Sequence, residues 1–389
     1  MTRWARSETT DDPVALTRRI REAMDGGDPV LLGGAPDDRL RVAHDVAAVV
    51  ATSGSTGVPK KVALSARALQ ASAAATAATI GAGQWMLALP TQYVAGLQVV
   101  VRSLLTNKIP VPLEGPLRPD SFVTATQRAV REAFGAPTFT SLVPAQLGLL
   151  VDAAEDADTG EPVRQALHAY QAILVGGQST PASLAERAHR LGARIVRTYG
   201  SSETAGGCVY DGQPLPGVSV RVVDGELQLS GPMLAEGYVD DPQQTAEHFV
   251  RDAGRRWYRT GDSGDYEAGT VRVTGRRDRV FITGGTNVSL DRVENVVRSI
   301  RHGADAVVVA LPHERWGQCC VIVTDRHGDA AAGLFQQARE AVAEQLGKPA
   351  RPTRLLTLDP LPRLVSGKPD REAITEWALR VSTHTSQER

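Results

Sequence analysis

Lysine is scarce in this chain of 389 residues. Lysine and arginine together number 43, and aspartate and glutamate number 44. Five of the basic residues are lysines: Lys60, Lys61, Lys108, Lys348 and Lys368. The formal net charge of −1 creates no long-range field that would attract nucleic acid or an anionic membrane surface. We therefore predict no nucleic-acid partner. Each of these five lysines is therefore a candidate functional residue, because a compact ammonium and a planar guanidinium are not interchangeable.

Cysteines and long apolar runs are also few. Cys208, Cys319 and Cys320 have neither the CxxC spacing of a metal or redox site nor the number that a disulfide framework needs. No apolar stretch reaches the roughly 18 residues of a membrane-spanning helix, and the amino terminus lacks the apolar segment of a secretory signal. These absences predict a cytoplasmic protein without a membrane partner.

What the sequence has is an alternation of short strand-like and helical segments. Helical residues 181–191, for example, lie between strand-like residues 172–175 and 194–198. Strands separated by helices of this length predict a largely parallel, doubly wound sheet. After residue 206 the segments become short and β-rich, and a second alternating unit begins near residue 275.

We therefore predict an α/β protein with two domains. Residues 1–277 would form a large domain with doubly wound, mostly parallel sheets plus a β-rich segment. Residues 278–389 would form a small, mobile α+β domain. The first 45 residues are expected to be polar, with one helix at 13–24, and the carboxyl-terminal tail is expected to be polar and frayed.

A glycine- and hydroxyl-rich loop has the sequence TSGSTGVPK and spans Thr52–Lys60. It follows a strand-like run, and we expect it to precede a helix that Ser65 caps. Glycines let backbone N–H groups face an anion, and the hydroxyls and the lysine add further donors. A P-loop would need lysine directly after the last glycine, but Val58 and Pro59 intervene. A flexible linker is the alternative, and the flanking elements favour phosphate binding.

This loop resembles the [ST]SG[ST]TGxPK loop of the adenylate-forming superfamily, which contains acyl-CoA synthetases, luciferases and peptide-synthetase adenylation domains. The resemblance implies a two-step reaction of a small carboxylic acid with ATP, Mg²⁺ and coenzyme A, through an acyl-adenylate. It also implies that the loop holds the ATP phosphates through Thr52, Ser53, Gly54, Ser55, Thr56, Gly57 and Lys60.

Two turns that follow predicted strands resemble adenine-binding motifs of the superfamily. They are Gly176-Gly177-Gln178 and the segment Tyr199–Thr204. The resemblance implies that the tyrosine stacks on adenine beside Gly200 and Ser202, and that Glu203 is a catalytic carboxylate that ligates Mg²⁺. Hard carboxylate oxygens suit a metal that also holds phosphate. Without the resemblance, the second segment could equally be a polar turn with a solvated glutamate.

Three motifs nearer the carboxyl end follow in the order that the superfamily has. Residues 258–262 match YRTGD, residues 275–294 match GRxDxxI…GxxV…E, and residues 366–371 match SGKxxR. The implied roles are ribose binding by Asp262, catalysis by Arg276 and Lys368, a hinge at Asp278 and a pantetheine path at Gly285. The lysine would stabilise negative charge that builds up on the α-phosphate. Together these motifs predict that five stretches of the chain converge on one nucleotide.

A further segment bears on the identity of the acid. Residues 89–98 resemble the LPxxHVxGL segment that lines the acyl pocket of o-succinylbenzoate–CoA ligases, enzymes of menaquinone biosynthesis. The resemblance implies that Tyr93, Gly96 and Leu97 contact the substrate. Because Tyr93 stands where these ligases have histidine, no imidazole role carries over.

A dicarboxylate such as o-succinylbenzoate needs a cation for the carboxylate that does not react. Arg102 and Lys108 are candidates by their position after this segment. The ordinary alternative for each is a cation on the surface that is solvated by water. The alternatives are a ligase for another aryl or acyl acid and a non-catalytic ATP-binding homologue. The oligomeric state stays open, with a homodimer among the possibilities.

Overall fold

The computed structural model describes residues 2–4, 6–7, 12–33, 40–52, 60–364 and 368–387. The chain divides into two compact units. Unit 1 comprises residues 1–180, 185–260 and 266–272, and unit 2 comprises residues 181–184, 261–265 and 273–389. The predicted domain boundary after residue 277 stays a prediction.

Most helices in the described part of the chain begin with a proline or a capping side chain. Proline fits the first turn because it lacks the N–H that would be unpaired there, while Ser and Asp oxygens accept the free N–H groups. The helices are α1 Pro13–Met24, α2 Ala66–Ile80, α3 Val94–Leu105, α4 Pro119–Ala133, α5 Pro144–Ala154, α6 Glu161–His168, α7 Ala182–Arg190, α8 Pro242–His248, α9 Leu290–Arg298, α10 Gly328–Leu346 and α11 Arg371–Gln387.

The strands are short, apart from one of thirteen residues in the β-rich segment. They are β1 Thr2–Trp4, β2 Arg6–Ser7, β3 Val30–Leu32, β4 Arg41–Ala43, β5 Val46–Thr52, β6 Lys60–Ser65, β7 Gln84–Leu87, β8 Val111–Pro112, β9 Thr138–Leu142, β10 Ala172–Val175, β11 Ile195–Ser201, β12 Gly206–Tyr210, β13 Gln213–Pro214, β14 Ser219–Val223, β15 Glu226–Ser230, β16 Gly237–Tyr238, β17 Phe249–Asp252, β18 Arg255–Glu267, β19 Thr270–Arg276, β20 Val280–Thr283, β21 Thr286–Ser289, β22 Val307–His313, β23 Gly317–Thr324 and β24 Arg354–Thr357.

A seven-stranded sheet of unit 1 has the order β13-β12-β11-β10-β9-β7-β8. Its strands from β11 to β8 are parallel, whereas β12 and β13 run antiparallel to their neighbours. Every residue of β9 and β10 is buried, as expected for a sheet covered on both faces. The predicted mostly parallel α/β architecture is confirmed. The carboxyl ends of β10 and β11 therefore meet at one edge, where open α/β sheets bind ligands.

A second sheet of unit 1 has the order β16-β6-β5-β3-β2. In it, β5 and β6 are antiparallel, and Thr52 pairs with Lys60. The loop precedes α2, as predicted, but the strand β6, which the sequence pattern does not indicate, lies between them. Residues 62–64 are all buried, and this short apolar run gains more burial between two strands than at a helix end.

The helix α2 begins only after this hairpin. The Ser65 hydroxyl accepts a hydrogen bond from the N–H of Ala68 at 3.2 Å, so the predicted cap is present. Residues 53–59, which include the predicted phosphate ligands Ser53, Gly54, Ser55, Thr56 and Gly57, lie outside the described residues. Their role stays a prediction.

The β-rich segment is present as a sheet of order β14-β15-β18-β17, with β19 paired to β18. The strands β18 and β19 run through the division between the two units, since residues 261–265 and 273–276 belong to unit 2.

Unit 2 is a sheet of order β21-β20-β23-β22, with β24 parallel to β23 and helices on both faces. One face packs Val308 and Ile322 against α9 and α10, and the other packs Val307 and Val321 against α11. The prediction of a frayed tail is wrong for residues 371–387, which form α11. Ile374 and Ala378 have the i, i+4 spacing of one helix face, and both are fully buried.

Candidate nucleotide and acid site

A tight turn presents Glu203 at the carboxyl end of β11. Residues 202–204 form one turn of 3₁₀-helix, in which the N–H of Ser201 donates to the Thr204 hydroxyl at 2.9 Å. Gly200 has to be glycine, because a Cβ there would lie 2.2 Å from the carbonyl oxygen of Gly206 on β12. The close pairing of β11 and β12 thus holds Glu203 in place, with 9% of its surface exposed.

Tyr238 connects Glu203 to the base of the glycine-rich loop. Its hydroxyl donates a buried hydrogen bond to Glu203 Oε1 at 2.9 Å. The Lys60 ammonium lies 5.2 Å from the centroid of the Tyr238 ring, within the range of a cation–π interaction. The backbone of the 235–238 segment also contributes, since the N–H of Ala235 donates to the carbonyl of Glu203. Sequence reasoning missed Tyr238, because its partner strand β6 is far away along the chain.

The Glu203 carboxylate fits a Mg²⁺ ion. One oxygen accepts the Tyr238 hydrogen bond, and the described residues give the second oxygen no hydrogen bond. Mg²⁺ is commonly held by one or two carboxylates together with waters and substrate phosphates. In the described part of the chain, no three His, Cys, Asp or Glu residues cluster as a protein-only metal site.

The two predicted adenine segments lie side by side in unit 1. Gly176 follows β10, and its N–H donates to the carbonyl of Leu142 at 3.2 Å. Tyr199 lies near the end of β11, is half-buried, and packs against the main hydrophobic cluster. Because β10 and β11 are adjacent parallel strands, Gly177 and Gln178 reach the same sheet edge as Tyr199.

The predicted acyl segment forms the turn before α3 and the first residues of that helix. Gly96 has to be glycine, because a Cβ there would lie 2.3 Å from the carbonyl oxygen of Pro90. Tyr93 is half-buried at the helix start, whereas Leu97 is buried in the main hydrophobic cluster. The helix therefore leaves this turn at a fixed angle and carries Arg102 into the interior.

Arg102 is buried, and the described residues supply it with no acidic partner. Only 6% of its surface is exposed, and its guanidinium carbon lies 5.1 Å from the centroid of the Trp85 ring. Its contact with the Tyr210 hydroxyl is long, at 3.4 Å, and no described residue makes a hydrogen bond with its Nε. No carboxylate of the described residues pairs with it, and burial lowers its pKa. Such a charge is costly unless an anion joins it.

Lys108, the second candidate for a distal carboxylate, has a different environment. Its ammonium donates to the carbonyl of Ala133 at the end of α4, at 3.3 Å. A cation at a helix carboxyl terminus is a common stabilising feature. The structure therefore separates the two candidates: Arg102 is the one of the two that is buried and has no counter-ion among the described residues.

In unit 2, Arg276 brings together the predicted ribose ligand and the predicted hinge. Its guanidinium makes two hydrogen bonds to Asp278, at 3.1 and 2.9 Å, and lies 3.6 Å from Asp262. Burial acts to raise the pKa of Asp278, but the Arg276 hydrogen bond and charge outweigh it and lower that pKa. The arginine and Asp278 are both substantially exposed, so water weakens the pair. A nucleotide could therefore replace these contacts at small cost.

Lys368 lies at the base of a short hairpin in unit 2. The N–H of Leu364 donates to the carbonyl of Lys368 at 2.8 Å, and Arg363 bridges to Pro369. Desolvation, then the charges of Arg371 and Arg276, lower the pKa of the lysine. The residue as a whole is exposed, so solvent screening weakens this effect. The preceding Ser366 and Gly367 lie outside the described residues.

Comparison with known proteins identifies the family. The pattern of AMP-binding enzymes matches residues 6–239, and that of the AMP-binding enzyme C-terminal domain matches residues 292–368. The chain belongs to the AMP-binding enzyme family. A probable 2-succinylbenzoate–CoA ligase of Mycobacterium tuberculosis is 36% identical over 92% of this chain and 94% of its own length. The Escherichia coli 2-succinylbenzoate–CoA ligase is 28% identical over 85% of this chain and 68% of its own length.

Solved structures agree with this assignment. A variant of the E. coli enzyme MenE with bound OSB-AMS has a TM-score of 0.68 and 25% identity, covering 93% of this AMP-binding enzyme and 80% of that chain. The predicted resemblance to adenylate-forming ligases near the 2-succinylbenzoate–CoA ligases is confirmed. Among the described helices of this AMP-binding enzyme, none is both long and apolar enough to cross a bilayer.

Three residues after Lys368, Arg371 belongs to a buried ion cluster around Glu294 of α9. Glu294 is 3% exposed, and its two oxygens accept hydrogen bonds from Arg371, each at 2.6 Å. Arg298 lies 3.0 Å from the same carboxylate, and the N–H of Val308 donates to it at 3.0 Å. Burial acts to raise the pKa of Glu294, but the arginines outweigh it and lower the pKa to about 2.

This lowered pKa predicts a loss of stability in acid. A carboxyl group whose pKa is depressed by folding stabilises the native state above its unfolded pKa and loses that effect as the pH falls toward the folded value. We expect the difference in melting temperature between the wild type and Glu294→Gln to shrink from pH 4.5 toward about 2. Thermal unfolding of both proteins at a series of pH values measures it. A difference that stays constant as the pH falls would contradict the prediction.

Proposed function

We propose that this AMP-binding enzyme is an ATP-dependent acid–CoA ligase that converts o-succinylbenzoate to o-succinylbenzoyl-CoA, a step of menaquinone biosynthesis. ATP and coenzyme A are its co-substrates, and Mg²⁺ is its metal. The relatives named for this activity support the proposal. The observation that carries the choice of acid is the buried guanidinium of Arg102. A cytoplasmic location and a homodimer stay predictions.

Arg102 favours an acid with two carboxylates. A monocarboxylic acid uses its only carboxylate in the attack on ATP, so nothing remains to pair with a buried cation. A dicarboxylate keeps one carboxylate free, and pairing it with Arg102 offsets the cost of burying the guanidinium without a partner. A pocket for fatty acids or benzoate would gain from an apolar side chain at this position instead.

The proposed reaction has two steps. In the first, a carboxylate oxygen attacks the α-phosphorus of ATP, the bond to the bridging oxygen breaks, and pyrophosphate leaves. In the second, the CoA thiolate attacks the acyl carbon, the bond between that carbon and the phosphate oxygen breaks, and AMP leaves. A thiolate that arrives ionised needs no protein base.

The protein's part in the first step is binding and electrostatics. The proposed phosphate ligands are the glycine-rich loop and Lys60, the adenine ligands are Gly177 and Tyr199, and the ribose ligand is Asp262. Mg²⁺ held by Glu203 would supply positive charge to the phosphates. Lys368 and Arg276 would stabilise charge at the α-phosphorus. A rotation at Asp278 would then exchange Lys368 for the Gly285 region before CoA reacts.

Replacement of Arg102 by methionine tests the choice of acid. We expect kcat/KM for o-succinylbenzoate to fall about 30-fold or more, since removal of one partner of a buried charge pair costs about 2–5 kcal/mol. Activity with benzoate, coumarate or short fatty acids should change little, since these acids leave no carboxylate for the arginine. Pyrophosphate release and CoA thioester formation, measured across this panel of acids, give the comparison.

A stability measurement separates this role from a structural one. Without substrate, Arg102→Met should melt at the same temperature as the wild type or higher, because an unpaired buried charge has been removed. Lys108→Met serves as the matched control and should leave the preference among acids unchanged. An equal loss with every acid would overturn the role of Arg102. A wild-type preference for a monocarboxylate would instead favour a ligase for another acid.

A further inference from the structure

We infer that Glu294 is a positioning residue for adenylation, which holds the ammonium of Lys368 in place through Arg371. The inference rests on the proposed function, because it takes Lys368 as the lysine of the first half-reaction. It assigns to the buried ion cluster of unit 2 a role beyond the stability of that unit.

Lys368 lacks a side-chain anchor of its own. In the described part of the chain, no carboxylate pairs with its ammonium, so the position of this group depends on how the backbone is held. The hairpin at its base provides one attachment, through the hydrogen bond from Leu364 N–H to the Lys368 carbonyl. On the other side, Asp370 N–H donates to the carbonyl of Pro362 at 2.9 Å, and α11 begins at Arg371.

The Arg371–Glu294 pair provides the second attachment. Two nitrogens of the guanidinium meet two oxygens of the carboxylate, and this geometry fixes the plane of both groups as well as their distance. The carboxylate is itself held by the N–H of Val308 on β22. The start of α11, three residues after Lys368, is therefore tied to the rigid core of unit 2 rather than to solvent-exposed groups.

A purely structural role is the competing explanation, and Arg298 provides the control for it. This arginine binds the same carboxylate at 3.0 Å, is also buried, and donates to the carbonyl of Ala306 at 2.9 Å. It lies on α9 itself, four residues after Glu294, and has no sequence connection to the lysine hairpin. Weakening Arg298 should therefore lower stability without moving Lys368.

The experiment compares Arg371→Lys, Glu294→Gln and Arg298→Lys in the full-length protein. Pyrophosphate release from MgATP and o-succinylbenzoate reports adenylation, and AMP release from supplied acyl-adenylate and CoA reports the second step. We expect the first two variants to slow adenylation roughly 10- to 100-fold, the range for a catalytic group misplaced by about 1 Å. The second step should stay within about threefold of wild type, and it reports the amount of folded enzyme. Arg298→Lys should lower the melting temperature and leave both rates nearly unchanged.

A double-mutant cycle with Lys368→Ala decides between the two explanations. If Arg371 acts through Lys368, then Arg371→Lys should cost nothing further once the ammonium is gone. Additive losses would overturn the inference, as would equal effects of Arg371→Lys and Arg298→Lys on adenylation. A wild-type protein that releases no pyrophosphate with any acid would contradict the proposed function instead. Should Glu294→Gln fail to fold, Arg371→Lys, which keeps a charged donor, still carries the test.

Discussion

Replacement of Lys368 by alanine will remove most of the adenylation activity and leave thioester formation from a supplied acyl-adenylate close to wild type. Charge builds up on the α-phosphate only in the first step, and one well-placed charged donor contributes about 100- to 1,000-fold to such a rate. We therefore expect a loss of about 100-fold or more in pyrophosphate release.

The control for this variant is Lys348→Ala. Lys348 is another exposed lysine of unit 2, at the short 3₁₀-helix that follows α10, and no role is proposed for it. Its replacement should leave both half-reactions unchanged. Should Lys368→Ala slow the two half-reactions by the same factor, the division of labour between the two steps would be refuted.

Replacement of Glu203 by glutamine is expected to have a comparable effect through the metal. Glutamine keeps the shape of the side chain, and its carbonyl oxygen can still accept the hydrogen bond from Tyr238. It lacks the negative charge that Mg²⁺ requires, so adenylation should fall about 100-fold and the Mg²⁺ concentration for half-maximal rate should rise. Binding of ATP measured by calorimetry, with and without Mg²⁺, should show that the metal-dependent part of the affinity is lost.

Tyr238→Phe tests how the same carboxylate is oriented. This variant keeps the ring beside Lys60 and removes only the hydroxyl that donates to Glu203. We expect the half-saturating Mg²⁺ concentration to rise roughly 10-fold, as for other residues that orient a metal ligand. Tyr170→Phe, which removes a buried hydroxyl bonded to Thr126 at 2.7 Å, is the control for loss of a buried hydrogen bond. An unchanged Mg²⁺ dependence in both Glu203→Gln and Tyr238→Phe would argue against a metal at Glu203.

Secondary structure was predictable where the local pattern is strong. The helix α1 has proline at its start and an apolar face of Leu16, Ile20 and Ala23, and its predicted bounds of 13–24 match the structure. The helix α4 lies in a stretch for which no element is predicted above, although one of its faces buries Phe122, Ala125, Thr126, Ala129 and Ala133. The strand β6 is not predicted either, because it becomes a strand only by pairing with β5 and β16.

The sequence by itself determined the family and the kinds of chemical group present, because the ordered motifs are local and each contains the residues that it needs. Tertiary structure alone decided between the two candidate cations, since Arg102 and Lys108 look equivalent along the chain but only Arg102 is buried with no carboxylate of the described part of the chain beside it. It also decided that Tyr238 holds Glu203 and that Glu294 holds Arg371. Burial and pairing depend on residues far apart in the chain that folding brings within hydrogen-bond distance, and no local spacing encodes them.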